Sequence, residues 1–351
     1  MQNTARIAAQ VAGLEGRRHR AQHQAVGREV RLDRADSRRP VRADGAEERD
    51  TCRLEASPSG PRQSRRRALE VAPDHPCGLQ YPPVAASLTV VGSINLDLVA
   101  RVERLPRAGE TLSGATLDRI AGGKGANQAV AAARLGAEVR MVGCVGRDAN
   151  AEDALAGLRG AGVELAVRQV DSPTGVAIIL VAEEGENQIV VVPGANSEVG
   201  GFAASDKVLC QLEVPDSAVQ EARAQAEWLC VNAAPARPLV VDADLVVANR
   251  YEAEVIGEQP LLAVTLGEEG AVLFENGKEV VRARPPRVGA VDGTAAGDAF
   301  TGCLVVSLLE GRDREEALRR ACAAGAIAAS RFGAQPSLPT AGEVDAILRA
   351  E

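Results

Sequence analysis

An α/β fold built on a mostly parallel sheet is what this 351-residue sequence predicts, and three observations predict it. Aromatics make up 2% of the chain, so the core must come from small aliphatics, which suits strands buried on both faces under helices. From residue 88 onward, short apolar runs alternate with helical stretches. Polar residues 93–97 follow the first such run at its carboxyl end, the edge at which open α/β sheets bind ligands. The length would allow two domains, although α/β units of 250 or more residues are common.

Composition excludes several classes of function. The net charge of −8 conceals two unlike parts: residues 1–86 carry many Arg and no Lys, and the remainder is acidic, which argues against nucleic acid as a ligand. His19, His23 and His75 all lie in the first part, so the body has no imidazole for a Ser-His-Asp triad or a His-type zinc site. Cys52, Cys77, Cys144, Cys210, Cys230, Cys303 and Cys322 show no Cys-x-x-Cys pairing, which predicts free thiols in a reducing, cytoplasmic setting. No apolar run approaches a membrane span and no signal-like segment opens the chain, so a membrane is not an expected partner. Residues 1–86 have little periodicity and basic patches such as Arg62-Gln-Ser-Arg-Arg-Arg67. They read as a disordered basic arm, an amphipathic targeting segment or, preferred here, upstream sequence translated from too early a start. The folded domain is then residues 87–351.

Residues 88–92 predict a buried strand, with Asp97 on the substrate side beyond it. Alternating runs within residues 101–120, around Pro106 and Gly109, predict strands that leave the main sheet as half of a lid. A helix over 126–135, closed by Gly136, is followed by a strand over 138–145 and a helix over 150–160. Runs at 174–181 and 188–192 flank a glycine-containing turn and predict a hairpin, the second half of the lid. Apolar residues on both its faces predict that one covers substrate and the other meets a second subunit, giving a homodimer clasped through lids that span about 99–121 and 174–193. Next come a strand over 207–214 with Glu213 at its end, a helix over 217–226, and strands near Trp228 and Leu239. A strand ending at 246–249 leads to a short helix over 251–256, a strand over 261–266 and a turn at 267–270. A hairpin turns at Asn276-Gly277, a long helix runs to about residue 309, and the last helical region covers 314–330.

The chemistry gathers at Val291-Asp-Gly-Thr-Ala-Ala-Gly-Asp-Ala-Phe300, which ends a β-rich run and opens a helix. Small residues Ala295, Ala296 and Gly297 let the turn pass close to a ligand, and the first N–H groups of a helix lack intrahelical partners and attract anions. Asp298 at the rim would accept a hydroxyl proton beside that anion hole. Its bland reading is an acidic residue that suits the helix dipole.

Together with Gly92-Ser-Ile-Asn-Leu-Asp97, Ala121-Gly-Gly-Lys-Gly-Ala-Asn-Gln-Ala129 and Asn249-Arg-Tyr-Glu252, that motif resembles the ribokinase-like (PfkB) carbohydrate kinase family from about residue 88 to the end. The resemblance implies a three-layer sandwich with a central, mostly parallel sheet and a small β lid. It implies transfer of a phosphoryl group from ATP to a sugar hydroxyl, O5 of D-ribose first, with fructose, deoxyribose or a nucleoside as alternatives. A sugar-binding protein without turnover is the alternative from another class. Asp298 falls on the family's base. Asn95, Leu96, Asp97, Gly123, Lys124, Gly125, Ala126 and Asn127, with Glu213, fall on its sugar-contacting positions. Thr265, Leu266, Gly267, Glu268, Glu269 and Gly270, with Asn249, Gly297, Asp298 and Cys322, fall on its nucleotide-binding positions. Asn249 and Glu252 match an Asn-x-x-Glu element that organises Mg2+ indirectly, although the same spacing is a helix-capping pattern. Asp292, Thr294, Ala328, Arg331, Gly333 and Ser337 match a K+ loop that binds mostly through carbonyl oxygens.

One departure stands out. Between Asn249 and residue 261 the chain is too short for the family's full helical crossover, and the connection over 196–207 is short as well. The expectation is helices cut to a turn or two, or altered pairing, with a thinly covered sheet face and lowered stability.

Overall fold

The computed structural model describes residues 86–183 and 186–350, and the expectations for the N-terminal extension lie outside the described residues. The described residues begin with β1 (Ser87–Val91), two lid strands β2 (Asn95–Val102) and β3 (Thr116–Gly122), and α1 (Lys124–Arg134). It continues through β4 (Glu138–Gly146), α2 (Ala149–Gly160), β5 (Glu164–Val170) and the lid hairpin β6 (Gly175–Ala182) and β7 (Asn187–Val192). Then come β8 (Lys207–Gln211), α3 (Asp216–Gln225), β9 (Trp228–Asn232), β10 (Leu245–Asn249), α4 (Arg250–Ile256), β11 (Leu261–Thr265), β12 (Ala271–Glu275) and β13 (Lys278–Ala283). Three helices close the chain, α5 (Ala296–Leu309), α6 (Arg314–Ala329) and α7 (Ala341–Arg349).

Nine strands form the main sheet in the order β13-β12-β11-β10-β9-β8-β1-β4-β5, parallel from β5 to β11 with an antiparallel hairpin at the far edge. The four lid strands form a separate sheet, β3-β2-β6-β7. Alternation along each strand sends side chains to two cores. Leu88, Val90, Met141, Leu209 and Val247 face α1, α2, α5 and α6, whereas Val91, Val142, Val208, Val231 and Val264 face α3 and α4. The expected three layers and lid are therefore present.

The short connections resolve in favour of reduced helices. β10 and β11 pair in parallel, and α4, with seven residues, makes the crossover before Gly257 ends it at φ 69°. The link from β7 to β8 has only a 3-10 turn at Gly194–Glu198. A cavity of about 170 Å³ lies against this stretch, lined by Val142, Cys144, Arg168, Val199 and Phe202 among others.

Three details differ from expectation. No strand forms near Leu239, where Pro235 and Pro238 interrupt the backbone donors a ladder needs. The edge strand β5 was not expected, because its residues are mostly half-exposed or exposed and its apolar run, Leu165 to Val167, is only three residues long. The C-terminal helix α7 was also unexpected, yet Thr340 and Glu343 form a reciprocal capping box at its start.

Candidate active site

The carboxyl ends of β1, β8, β9 and β10 and the amino ends of α1 and α5 bring the candidate residues together. Ala295 precedes α5 in the left-handed region at φ 60°, an unusual conformation for a residue with a Cβ. The Ala296 N–H bonds the Gly293 carbonyl at 3.2 Å. Those of Gly297 and Asp298 have no backbone acceptor among the described residues. A Cβ on Gly297 would meet nothing within 4 Å, so the space beside it is open.

Asp298 is 6% exposed and receives two amide bonds, from Asn127 Nδ2 to Oδ2 at 3.0 Å and from Gln128 Nε2 to Oδ1 at 2.9 Å. Burial raises its pKa, while the Lys124 charge and the two amide donors pull the other way. Lys124 opens α1 amid the charges of Asp298, Glu213 and Glu252; burial disfavours its ammonium, but these carboxylates outweigh burial and leave its pKa raised. Asn127 Oδ1 is buried without a partner among the described residues, an acceptor available to a hydroxyl.

Asp97 is the third residue of the lid strand β2 and lies over the backbone of Gly122. A Cβ there would stand 2.2 Å from Asp97 Oδ2, so only glycine leaves the carboxyl its place. Burial, then the charges of Glu213 and Asp298, push the Asp97 pKa up to about 7. Asp97 is therefore near enough to Glu213 and Asp298 to feel both charges. Glu213, just past β8, accepts from Ser93 Oγ at 2.5 Å and from the Lys124 N–H at 3.3 Å. Asn95 is held through Oδ1 by Asn196 Nδ2 at 2.7 Å, which leaves its own amide group to point elsewhere. Gly123 (φ 89°) and Gly125 let α1 start against the β1–β2 turn; a Cβ on Gly125 would come within 2.6 Å of Gly92 and Ser93 backbone atoms. Leu96 and Ala126 are fully buried, and the Ala126 N–H bonds the Ser93 carbonyl at 2.9 Å, so neither presents a side chain to a sugar.

Asn249 and Thr265 stand side by side in the β10–β11 register. The capping reading of Asn249 is realised, since its Oδ1 accepts from the Glu252 N–H at 2.9 Å and Glu252 Oε2 accepts from the Asn249 N–H at 2.8 Å. The second Glu252 oxygen is not part of this box, and the residue feels the charges of Lys124 and Asp298. No cluster of three acidic, His or Cys ligands occurs among the described residues, so a magnesium ion here would take most of its ligands from phosphates and water, as an indirect role requires. After β11, Leu266 and Gly270 close a tight turn through a 2.7 Å bond, and Glu269 pairs with Arg250 at 2.7 Å while Glu268 is exposed. Cys322 is a buried thiol behind this turn, with Sγ 3.8 Å from the Ala283 carbonyl and its pKa pushed up to about 12 by burial.

The two halves of the expected cation loop also meet. Asp292 accepts from the Thr294 N–H through Oδ1 and from the Gly333 N–H through Oδ2, each at 2.9 Å, and its own N–H bonds the Ala329 carbonyl. Burial raises its pKa, but these bonds and the Arg101 charge overcome it and leave the carboxylate ionised below its usual range. Arg331 forms an ion pair with Glu343, and Ser337 Oγ donates to the Ala334 carbonyl at 2.7 Å. Each Asp292 oxygen accepts one N–H bond, which ties the 292–294 turn to the Gly333 backbone. Gln128, Gln211, Asn232 and Asn196 were not singled out in the sequence, although Gln211 and Asn232 each end an apolar strand and Gln128 sits in an Ala-rich helix.

A doubly covered parallel sheet with a β lid, a buried carboxylate at a helix foot and, beside it, N–H groups that lack a backbone acceptor among the described residues define the architecture of a small-molecule kinase. Residues 85–211 and 203–341 match the family described as pfkB family carbohydrate kinase, and the chain belongs to that family. It is 37% identical over 292 residues to the ribokinase of Bacillus subtilis, covering 75% of this chain and 99% of that protein. The deoxyribokinase of Salmonella typhi is 31% identical over 293 residues, covering 72% and 95%. Among solved structures, the Arabidopsis thaliana ribokinase complexed with ribose and ATP superposes with a TM-score of 0.67 at 33% identity, covering 76% of this chain and 99% of that one. The ribokinase of Thermotoga maritima gives the same TM-score at 31% identity, covering 75% and 99%.

Proposed function

We propose that this protein is a ribokinase that transfers the γ-phosphoryl group of ATP to O5 of D-ribose, with Asp298 as the general base. The observation that carries the reading is the pairing of Asp298 with open N–H donors of Gly297 and Asp298 and with the half-satisfied amide of Asn127. The hydroxyl proton passes to Asp298 as oxygen attacks phosphorus, and the donors hold the charge that builds on the phosphoryl oxygens. Asp97, Asn95, Lys124 and Glu213 supply acceptors and donors for the ring hydroxyls, and the loop over 265–270 carries the nucleotide. Mg2+ bound to the phosphates would be ordered through Asn249 and Glu252. K+ between the 292–294 and 328–337 segments would fix the shape of the anion hole.

The test is an ADP-release assay over ribose, deoxyribose, fructose and adenosine. Ribose should be turned over best, and Asp298→Asn should lower kcat by roughly 10²- to 10⁴-fold while ribose still binds. Retained turnover in that variant removes Asp298 from the role, and binding without turnover in the wild type leaves a sugar-binding protein. Replacing K+ by Na+ should slow the reaction, and indifference to the cation would count against the loop. Association is read from β7, an edge strand whose six residues are all exposed, with Ile189, Val190, Val191 and Val192 between 45% and 61% accessible. An unpaired apolar edge of this kind invites a second copy, so we infer a homodimer through the lids. Cytoplasmic residence accords with five free, buried cysteines and with the absence, among the described residues, of any helix long and apolar enough to cross a membrane.

A further inference from the structure

Asp298 is gripped from behind by a chain of buried carboxamides. Gln128, fully buried, donates from Nε2 both to Asp298 Oδ1 at 2.9 Å and to Asn232 Oδ1 at 3.0 Å, and its Oε1 accepts from Gln211 Nε2 at 2.6 Å. Asn232 in turn donates from Nδ2 to the Val247 carbonyl at 3.1 Å. A backbone carbonyl only accepts, so Asn232 must turn its amino group to β10 and its oxygen to Gln128. Gln128 must then present its amino group to Asn232 and Asp298 together. The polarity is fixed from the backbone of β10 through β9 to α1, and neither Asn232 nor Gln128 can flip without breaking at least two bonds.

The two oxygens of Asp298 are therefore unequal. Oδ1 is tied to the interior, whereas Oδ2 meets Asn127, the amide on the side of the expected sugar. We propose that Gln128 is a positioning residue, anchored by Asn232 and Gln211, which pins Oδ1 and assigns Oδ2 as the atom that takes the hydroxyl proton. The inference rests on the reading of Asp298 as the base. In the step it serves, the O–H bond breaks toward Oδ2 while the new O–P bond forms, and the bond from γ-phosphorus to the bridging oxygen breaks with its electron pair going to ADP. Both amides donate to the carboxylate, so they also favour its ionised form against burial.

Gln128→Glu keeps the size and still accepts from Gln211, but turns a donor into a like charge beside Asp298. The assay compares wild type, Gln128→Glu, Gln211→Glu and Asp298→Asn, with ribose binding measured by calorimetry. Gln128→Glu should bind ribose within about threefold of wild type, lose roughly ten- to hundredfold in kcat, and move the acid limb of the kcat profile to higher pH. Gln211→Glu favours the flipped Gln128 amide and should shift the limb in the same direction by less. The Asp298 carboxyl signal followed by 13C NMR should titrate at higher pH in both variants, a readout independent of turnover. Unchanged limbs and titrations alongside an inactive Asp298→Asn would overturn the positioning role and leave the base intact. An active Asp298→Asn would instead overturn the base reading itself. If Gln128→Glu fails to fold, an unaltered profile in Gln211→Glu is enough to overturn the proposal.

Discussion

Asp97 carries the clearest electrostatic signature in the molecule, because it is buried, its carboxyl group has no hydrogen-bond partner among the described residues, and it feels the charges of two other carboxylates. Its pKa rises from 3.8 to about 7, so the folded state holds this proton more tightly than the unfolded chain does. The associated stability is complete below about pH 4 and is lost as pH rises toward and through 7, by roughly 4 kcal/mol at most. Asp97→Asn should therefore melt higher than wild type at pH 8, with the difference vanishing near pH 4, in a series of thermal melts without sugar. A constant difference across pH would show that Asp97 is not the group responsible. At this scale the sequence was informative where chemistry needs a fixed motif: Asn127 bonds Asp298, and Asp97 feels the charge of Asp298. The supporting amides were hidden because a glutamine in a helix or at a strand end has many ordinary explanations, and only the fold brings Gln128, Gln211 and Asn232 within bonding distance. Leu96 and Ala126 illustrate the reverse, sharing a motif with ligand-facing residues while their side chains serve the core.

At the level of elements, the site depends on how closely α1 starts against the β1–β2 turn. Gly125 is the contact point, and the atoms an added methyl would meet are backbone, which cannot swing aside. Gly125→Ala should cost about 1–3 kcal/mol of stability and weaken ribose binding, since Lys124 and Asn127 would move with the helix. Chemical denaturation and calorimetry check both effects; an undisturbed affinity would mean that the helix start tolerates displacement. Elements with strong periodicity or turn chemistry were legible, among them the β12–β13 hairpin, whose Asn276 and Gly277 take φ values of 48° and 73°. β5 was not, because an edge strand with one weakly covered face need not alternate. α7 was betrayed only by Thr340-x-x-Glu343, a signal worth more than its few apolar residues.

Over the whole molecule, the lid sheet presents Leu117, Ile178 and the β7 residues to solvent, the apolar surface on which the proposed homodimer would close. Ile189→Asp combined with Val191→Asp should halve the mass seen by light scattering, and an unchanged mass in both proteins would remove the lid from the interface. The main sheet is covered unequally. One face lies under α1, α2, α5 and α6, and the other under α3, the short α4 and irregular chain. The α/β class followed from composition and periodicity, and the thin face from counting residues between motifs, but which strands would still pair in parallel required the register itself. That register keeps Asn249 beside Thr265 although just under two turns of helix join their strands. Residues 257–260 thus mark a splice point on the periphery, remote in function from the reacting groups. A reporter module or an extra helical segment grafted there would alter the outline of the protein and leave its catalytic edge as it is.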